Sequence, residues 1–155
     1  MPRARREIRL ERTASQRRFH VPKTTKSGKV KKSELPRTLE RSPAKAQRTF
    51  AKTHDSAVET YGEGERAHRT AYSALKHSYE KVGDHWEPKD EKGPSDPRAR
   101  KSGRAAREGK GETYGGVDVE GNSKEELYER AKRLDIKGRS RMSKRELAKA
   151  IGKKQ

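Results

Sequence analysis

Near its C-terminal end the chain twice writes S-x-x-E, at Ser123 with Glu126 and at Ser143 with Glu146. In such a capping box the hydroxyl and the carboxylate satisfy backbone N–H groups at a helix start. Two short helices are therefore predicted, about twenty residues apart. Apolar residues repeat at Leu127, Ala131 and Leu134 in the first and at Leu147, Ala150 and Ile151 in the second, which gives each helix one apolar face. Between them Ile136 and Met142 stand where an extended connection can plug the gap, and Gly138 is free to take a turn conformation closed to other residues. Residues 123–155 thus read as helix, extended loop, helix.

Charge turns this small unit into a functional hypothesis. Lys137, Arg139, Arg141, Lys144 and Arg145 fall within nine residues. The last two occupy the first turn of the second helix, where cations oppose the helix dipole. A sequence that carries that cost has an anion to meet there. Free N–H groups at a helix start, flanked by Lys and Arg and by Ser140 and Ser143, make a phosphate site. The expected nucleic-acid-binding residues are Lys137, Gly138, Arg139, Ser140, Arg141, Lys144 and Arg145. The plainer alternative is a solvated charged face that binds protein or nothing.

The run from Leu127 to Ile151, centred on G-R-S-x-M-x-K-x-E-L, resembles the helix-extended loop-helix domain at the N-terminus of the bacterial transcription terminator Rho, and is similar to the SAP family of DNA-binding modules. Gly138, Arg139, Ser140, Met142, Lys144, Glu146 and Leu147 occupy matching positions. The resemblance implies nucleic-acid binding. It does not imply termination activity, because nothing in the chain resembles Rho's motor.

Only 26% of the 155 residues are hydrophobic and 41% are charged, too few apolar groups to fill one core of that size. The expectation is small modules on disordered connections. Without cysteine there is no disulfide, thiolate metal site or cysteine nucleophile. No stretch reads as a membrane span or a secretory signal, so a soluble, cytoplasmic protein is expected, with nucleoid association as one location within that reading. The net charge of +18 is concentrated at the ends: +10 over residues 1–33, +1 over 34–86, zero over 87–122 and +7 over 123–155. Basic ends around a near-neutral middle point to two polyanion contacts. Residues 1–33 read as a disordered basic arm, although an over-extended start fits the same residues.

Residues 34–89 differ in character. Ser42 is placed to cap a helix with Pro43 at its first position, and Gly62 to close it. Ala46, Phe50, His54, Ala57, Val58 and Tyr61 line one face of that helix. A second helix is predicted from about Glu65 to Lys81, ending at Gly83, with Ala71, Tyr72, Leu75, Tyr79 and Val82 facing inward. Leu35, Leu39 and Trp86 cover the open end of this helical hairpin. Its L-P-x-x-L at Leu35 to Leu39, A-Q-x-x-F at Ala46 to Phe50, H-D-S-A at His54 to Ala57, E-x-A-H at Glu65 to His68, A-L-K-H at Ala74 to His77 and closing Trp86 resemble the ChaB family, named for a regulator of bacterial cation transport. The resemblance implies a helical domain that acts by binding another protein, and no catalytic residues.

Five histidines raise the question of a metal. His68 and His77 are nine residues apart, on opposite sides of an ideal helix, and no pair has the i, i+4 spacing of a helical zinc site. His54 and His68 read instead as residues packed at the core edge. No hydrolase, P-loop, zinc-protease or dinucleotide motif is present. Neither an enzyme nor a cofactor, metal or small-molecule substrate is expected. Residues 90–122 read as a flexible linker, because seven Gly and three Pro fall within 87–122 with balanced charge and few apolar groups; Thr113 to Gly121 is its one patterned piece, placed to fold back locally or to precede the C-terminal module as a short extended segment.

The fold class expected is all-α, comprising a basic arm (1–33), a ChaB-like domain (34–89), a flexible linker (90–122) and a Rho N-terminal-like module (123–155). The function expected is that of a non-enzymatic adaptor, with its C-terminal module on DNA or RNA and its ChaB-like module on an unidentified protein partner, in transcription termination or genome maintenance. The alternative is a regulator of membrane cation transport, with basic ends against anionic lipid, since both partners are polyanions. A stress-induced component of a DNA-repair complex also fits the layout. DNA and RNA stay equally open, with Tyr128 the obvious stacking residue for single strands.

Overall fold

In the computed structural model of the protein, residues 20–155 are described. Residues 1–19 of the expected basic arm lie outside them. The described chain is mostly helical, with one two-stranded sheet, and is organised around two apolar cores.

The first core belongs to residues 35–86. A short α1 (Arg37–Glu40) leads into α2 (Ala44–Tyr61), which packs antiparallel on α3 (Glu65–Ser78). Leu35, Leu39, Ala46, Phe50, Ala51, Ala71, Leu75, Tyr79 and Trp86 are buried together. Gly62, at φ 82°, closes α2 as expected, its N–H donating to the Val58 carbonyl. Ser42 does not cap α2. Its hydroxyl donates to the Thr38 carbonyl at 2.6 Å and accepts from the Trp86 N–H at 2.8 Å, so it pins the tryptophan backbone against the end of α1.

The all-α expectation fails where the second helix is predicted to run on to Lys81. Helix α3 stops at Ser78, and β1 (Tyr79–Val82) pairs antiparallel with β2 (His85–Pro88), in the register Tyr79↔Pro88 to Val82↔His85. Two residues, Gly83 and Asp84, make the turn, and Gly83 at φ 63° supplies the positive φ that tight hairpins require. The predicted inward position survives for Tyr79, because a strand and a helix both bury it at the end of α3.

The second core unites Leu127, Ala131, Ile136, Leu147, Ala148 and Ile151 with Tyr114, Val117 and Val119. Both capping boxes form at the expected residues, starting α5 (Lys124–Arg133) at Ser123 and α6 (Lys144–Lys154) at Ser143. Gly138 takes φ 74°. The connection is tighter than an extended loop, because Arg139–Arg141 form a 3-10 turn.

Residues 90–122 differ most from the flexible linker read in the sequence. After a short α4 (Gly103–Arg107), Tyr114, Val117 and Val119 enter the second core. Two ion pairs dock the same segment on the first unit: Lys76 to Asp96 at 3.1 Å and Lys89 to Asp118 at 3.0 Å, the latter with both side chains no more than 5% exposed. Balanced charge, which suits a solvated linker, here supplies matched partners. Glu80 on β1 accepts from the Asp118 N–H, Asn122 and Arg130, joining three parts of the chain. Gln155 closes the arrangement, accepting from the Gly83 N–H and donating to the Lys81 carbonyl.

Residues 20–33, the end of the expected arm, also fold. The Lys23 and Thr24 N–H groups both donate to Asp55 at 2.9 Å, and Thr24 bridges to Val30.

Backbone contact between α6 and the 114–116 segment leads to a specific prediction. A Cβ on Gly152 would run into the Tyr114 carbonyl oxygen, well inside van der Waals separation. Gly152→Ala should gain about 1 kcal/mol of helix propensity and lose roughly 1–3 kcal/mol to overpacking. Net destabilisation in urea unfolding is the expected outcome, whereas a free C-terminal module would be stabilised by the same change.

Candidate nucleic-acid interface

The C-terminal unit sets its cations by local geometry. At Ser143 the hydroxyl accepts from the Glu146 N–H, and the Glu146 carboxylate accepts from the Ser143 N–H at 2.7 Å. Those bonds hold Glu146 below the usual carboxylate range, led by the one from the Ser143 backbone. The Lys144 and Arg145 amides are left without intrahelical acceptors. Because Glu146 already supplies a negative charge there, a phosphate brought to this end would meet the side chains of Arg141, Lys144 and Arg145 more favourably than the helix amides.

The seven expected residues divide by their contacts. Gly138, Ser140, Arg141 and Arg145 are exposed and Lys144 is half-buried. Among the described residues, no carboxylate lies within ion-pairing distance of Arg141, Lys144 or Arg145. Lys137 pairs with Asp135 at 2.9 Å but stays 83% exposed. Arg139 is held locally: Nη1 donates to the Ile136 carbonyl at 3.0 Å, and its guanidinium lies 5.8 Å from the centre of the Tyr128 ring. Tyr128, half-buried against the second core, is therefore engaged by Arg139.

A second cationic surface is absent from the sequence reading. A cavity of about 720 Å³ opens between α3 and residues 96–116, lined by Arg66, Arg98, Lys101 and Arg107 with Tyr72 and Trp86. Among the described residues none of these four cations has a carboxylate within ion-pairing distance. Arg66 lies over the ring of Tyr61 at 3.6 Å, and Tyr61 is itself 46% exposed. The sequence signal was present as basic residues in the 98–107 stretch, but only the docking of that stretch on α3 brings them together.

The arrangement is that of a small, mostly helical protein with a basic capped-helix end and a packed helical hairpin. Residues 35–89 match the family model ChaB, so this block, about a third of the chain, is similar to ChaB domains. The match does not extend to residues 123–155. No curated protein and no solved structure matches the chain. Among the described residues no helix is long and apolar enough to cross a membrane.

Proposed function

We propose that the protein is a non-enzymatic nucleic-acid-binding adaptor, in which the C-terminal unit contacts DNA or RNA phosphates and the ChaB-like block engages a protein partner. The observation that carries this reading is the group of three cations, Arg141, Lys144 and Arg145, gathered at one helix start with no carboxylate within ion-pairing distance among the described residues. The resemblance of 127–151 to the Rho N-terminal domain supports it, as does the cationic, aromatic-walled cavity beside α3. A role in transcription termination or genome maintenance, and a cytoplasmic, nucleoid-associated location, belong to the same reading.

The test is fluorescence anisotropy of the full chain against matched double-stranded DNA, single-stranded DNA and RNA across a salt series. Binding to one of them that persists near physiological salt is expected. Weak binding to all three that disappears with salt would leave only a polycation.

The ChaB match favours a second reading, regulation of membrane cation transport through protein contact, since that is the role for which the family is named. Retention on a transporter together with indifference to all three nucleic acids would select it.

A further inference from the structure

The end of the α2–α3 hairpin gathers three histidines and two carboxylates that neither reading uses. Glu63, in the turn between the helices, brings Oε1 to 3.8 Å from His54 Nε2 and to 3.7 Å from His68 Nε2. The ligand atoms of His54, Glu63 and His68 all lie within 4.8 Å of one another. The two imidazoles meet edge to face, ring centres 4.6 Å apart. His54 is fully buried, and its Nε2 has no hydrogen-bond partner. A buried ring nitrogen left unpaired is rare enough to require an explanation.

The surroundings of His54 match those of a metal ligand. Its Nδ1 lies 3.4 Å from Asp55 Oδ1, and donation there leaves the lone pair on Nε2, aimed toward Glu63 and His68. Asp55 is held in turn by the Lys23 and Thr24 N–H groups and by the Thr24 hydroxyl at 2.6 Å. A carboxylate that orients a ligating histidine, and is itself hydrogen-bonded, is the usual outer shell of a zinc site. On the far side His20 Nδ1 lies 2.5 Å from Glu63 Oε2 and steadies that carboxylate.

We propose that His54 Nε2, His68 Nε2 and Glu63 Oε1 form a binding site for a divalent transition metal of the Zn²⁺ class. Bonds of about 2.0–2.1 Å in a tetrahedral site set ligand atoms roughly 3.3 Å apart, so separations of 3.7 and 3.8 Å close with small side-chain shifts. Two imidazoles with one carboxylate select Zn²⁺ and its neighbours over Mg²⁺ or Ca²⁺, which take oxygen ligands. The fourth position opens to solvent, since the side chains of His68 and Glu63 are 44% and 30% exposed. Bound metal ties the ends of α2 and α3 together and, through His20 and Asp55, holds residues 20–24 on them. The site is independent of the nucleic-acid reading.

The experiment uses the full chain stripped with a chelator and titrated with Zn²⁺ against a chromophoric competitor, with Co²⁺ absorption reporting geometry. One Zn²⁺ per chain and a tetrahedral Co²⁺ spectrum are expected. His68→Gln and Glu63→Gln should each weaken binding by more than about tenfold, since loss of even an outer partner costs about 10–100-fold. Both residues stand at the surface, so far-UV circular dichroism of these variants should match that of the parent. Zn²⁺ should raise the Tm of the parent and not that of His68→Gln. His85→Gln is the control, because His85 lies between Asp84 and Glu87 on the surface and offers an accidental site. Absence of stoichiometric binding, binding untouched by His68→Gln and Glu63→Gln, or binding lost in His85→Gln would each overturn the assignment.

Discussion

Replacing Lys89 with alanine is expected to destabilise the protein by about 3–5 kcal/mol, the cost of leaving a buried carboxylate without its partner. The Lys89 ammonium, 4% exposed, meets Asp118 at 3.0 Å and donates to the Gly93 carbonyl at 2.7 Å and to Ser95 Oγ at 3.2 Å. Without it, Asp118 keeps the Gly121 N–H as partner, and the carbonyl of Gly93 loses its donor. The measurement is urea unfolding followed by the fluorescence of Trp86, the only tryptophan in the chain. Exchanging both partners for apolar residues, Lys89→Met with Asp118→Leu, should recover part of the loss, because it removes the unpaired carboxylate while the Gly93 carbonyl and the Gly121 N–H stay without their side-chain partners. A flexible linker predicts a different result. With residues 90–122 free in solvent, Lys89→Ala would change stability by no more than about 0.5 kcal/mol.

The second large effect concerns binding. Arg141→Ala, Lys144→Ala and Arg145→Ala together should flatten the dependence of log affinity on log salt by up to about 2.7 units for double-stranded DNA, at about 0.9 for each phosphate no longer neutralised. Affinity near physiological salt should fall in parallel while the unfolding midpoint stays close to that of the parent, since these side chains hold no ion pair among the described residues. Arg139→Ala should behave in the opposite way. Its guanidinium supports the Ile136 carbonyl and the Tyr128 ring, so the change should lower stability more than it alters the salt slope. An unchanged slope in the triple variant would move the nucleic-acid interface away from the start of α6, and the cavity beside α3 would be the next surface to test.

The two capping boxes, the closing Gly62, the apolar faces of α5 and α6, most of that of α2 and the αL turn at Gly138 were legible in the chain, whereas Tyr61, placed on the α2 face, is 46% exposed. Each depends on residues a few positions apart, and hydrogen bonding and helical period act at that range. Leu127, Ala131, Leu147 and Ile151 are buried for the same reason.

What the tertiary structure decided is everything that needed a distant partner. Tyr79 to Pro88 reads as helix end and loop until Gly83 turns the strand back and the Lys81 N–H finds the Gly116 carbonyl at 2.9 Å. Residues 113–119 look like linker by composition, yet three apolar side chains suffice to complete a core that two short helices leave open. The histidines carry no metal spacing along one helix, because His54 and His68 come from different helices and Glu63 from the turn between them. Local chemistry was thus written in neighbouring residues. Burial, ion pairing and the meeting of ligands depend on separations in space that the order of residues does not encode until the chain has folded.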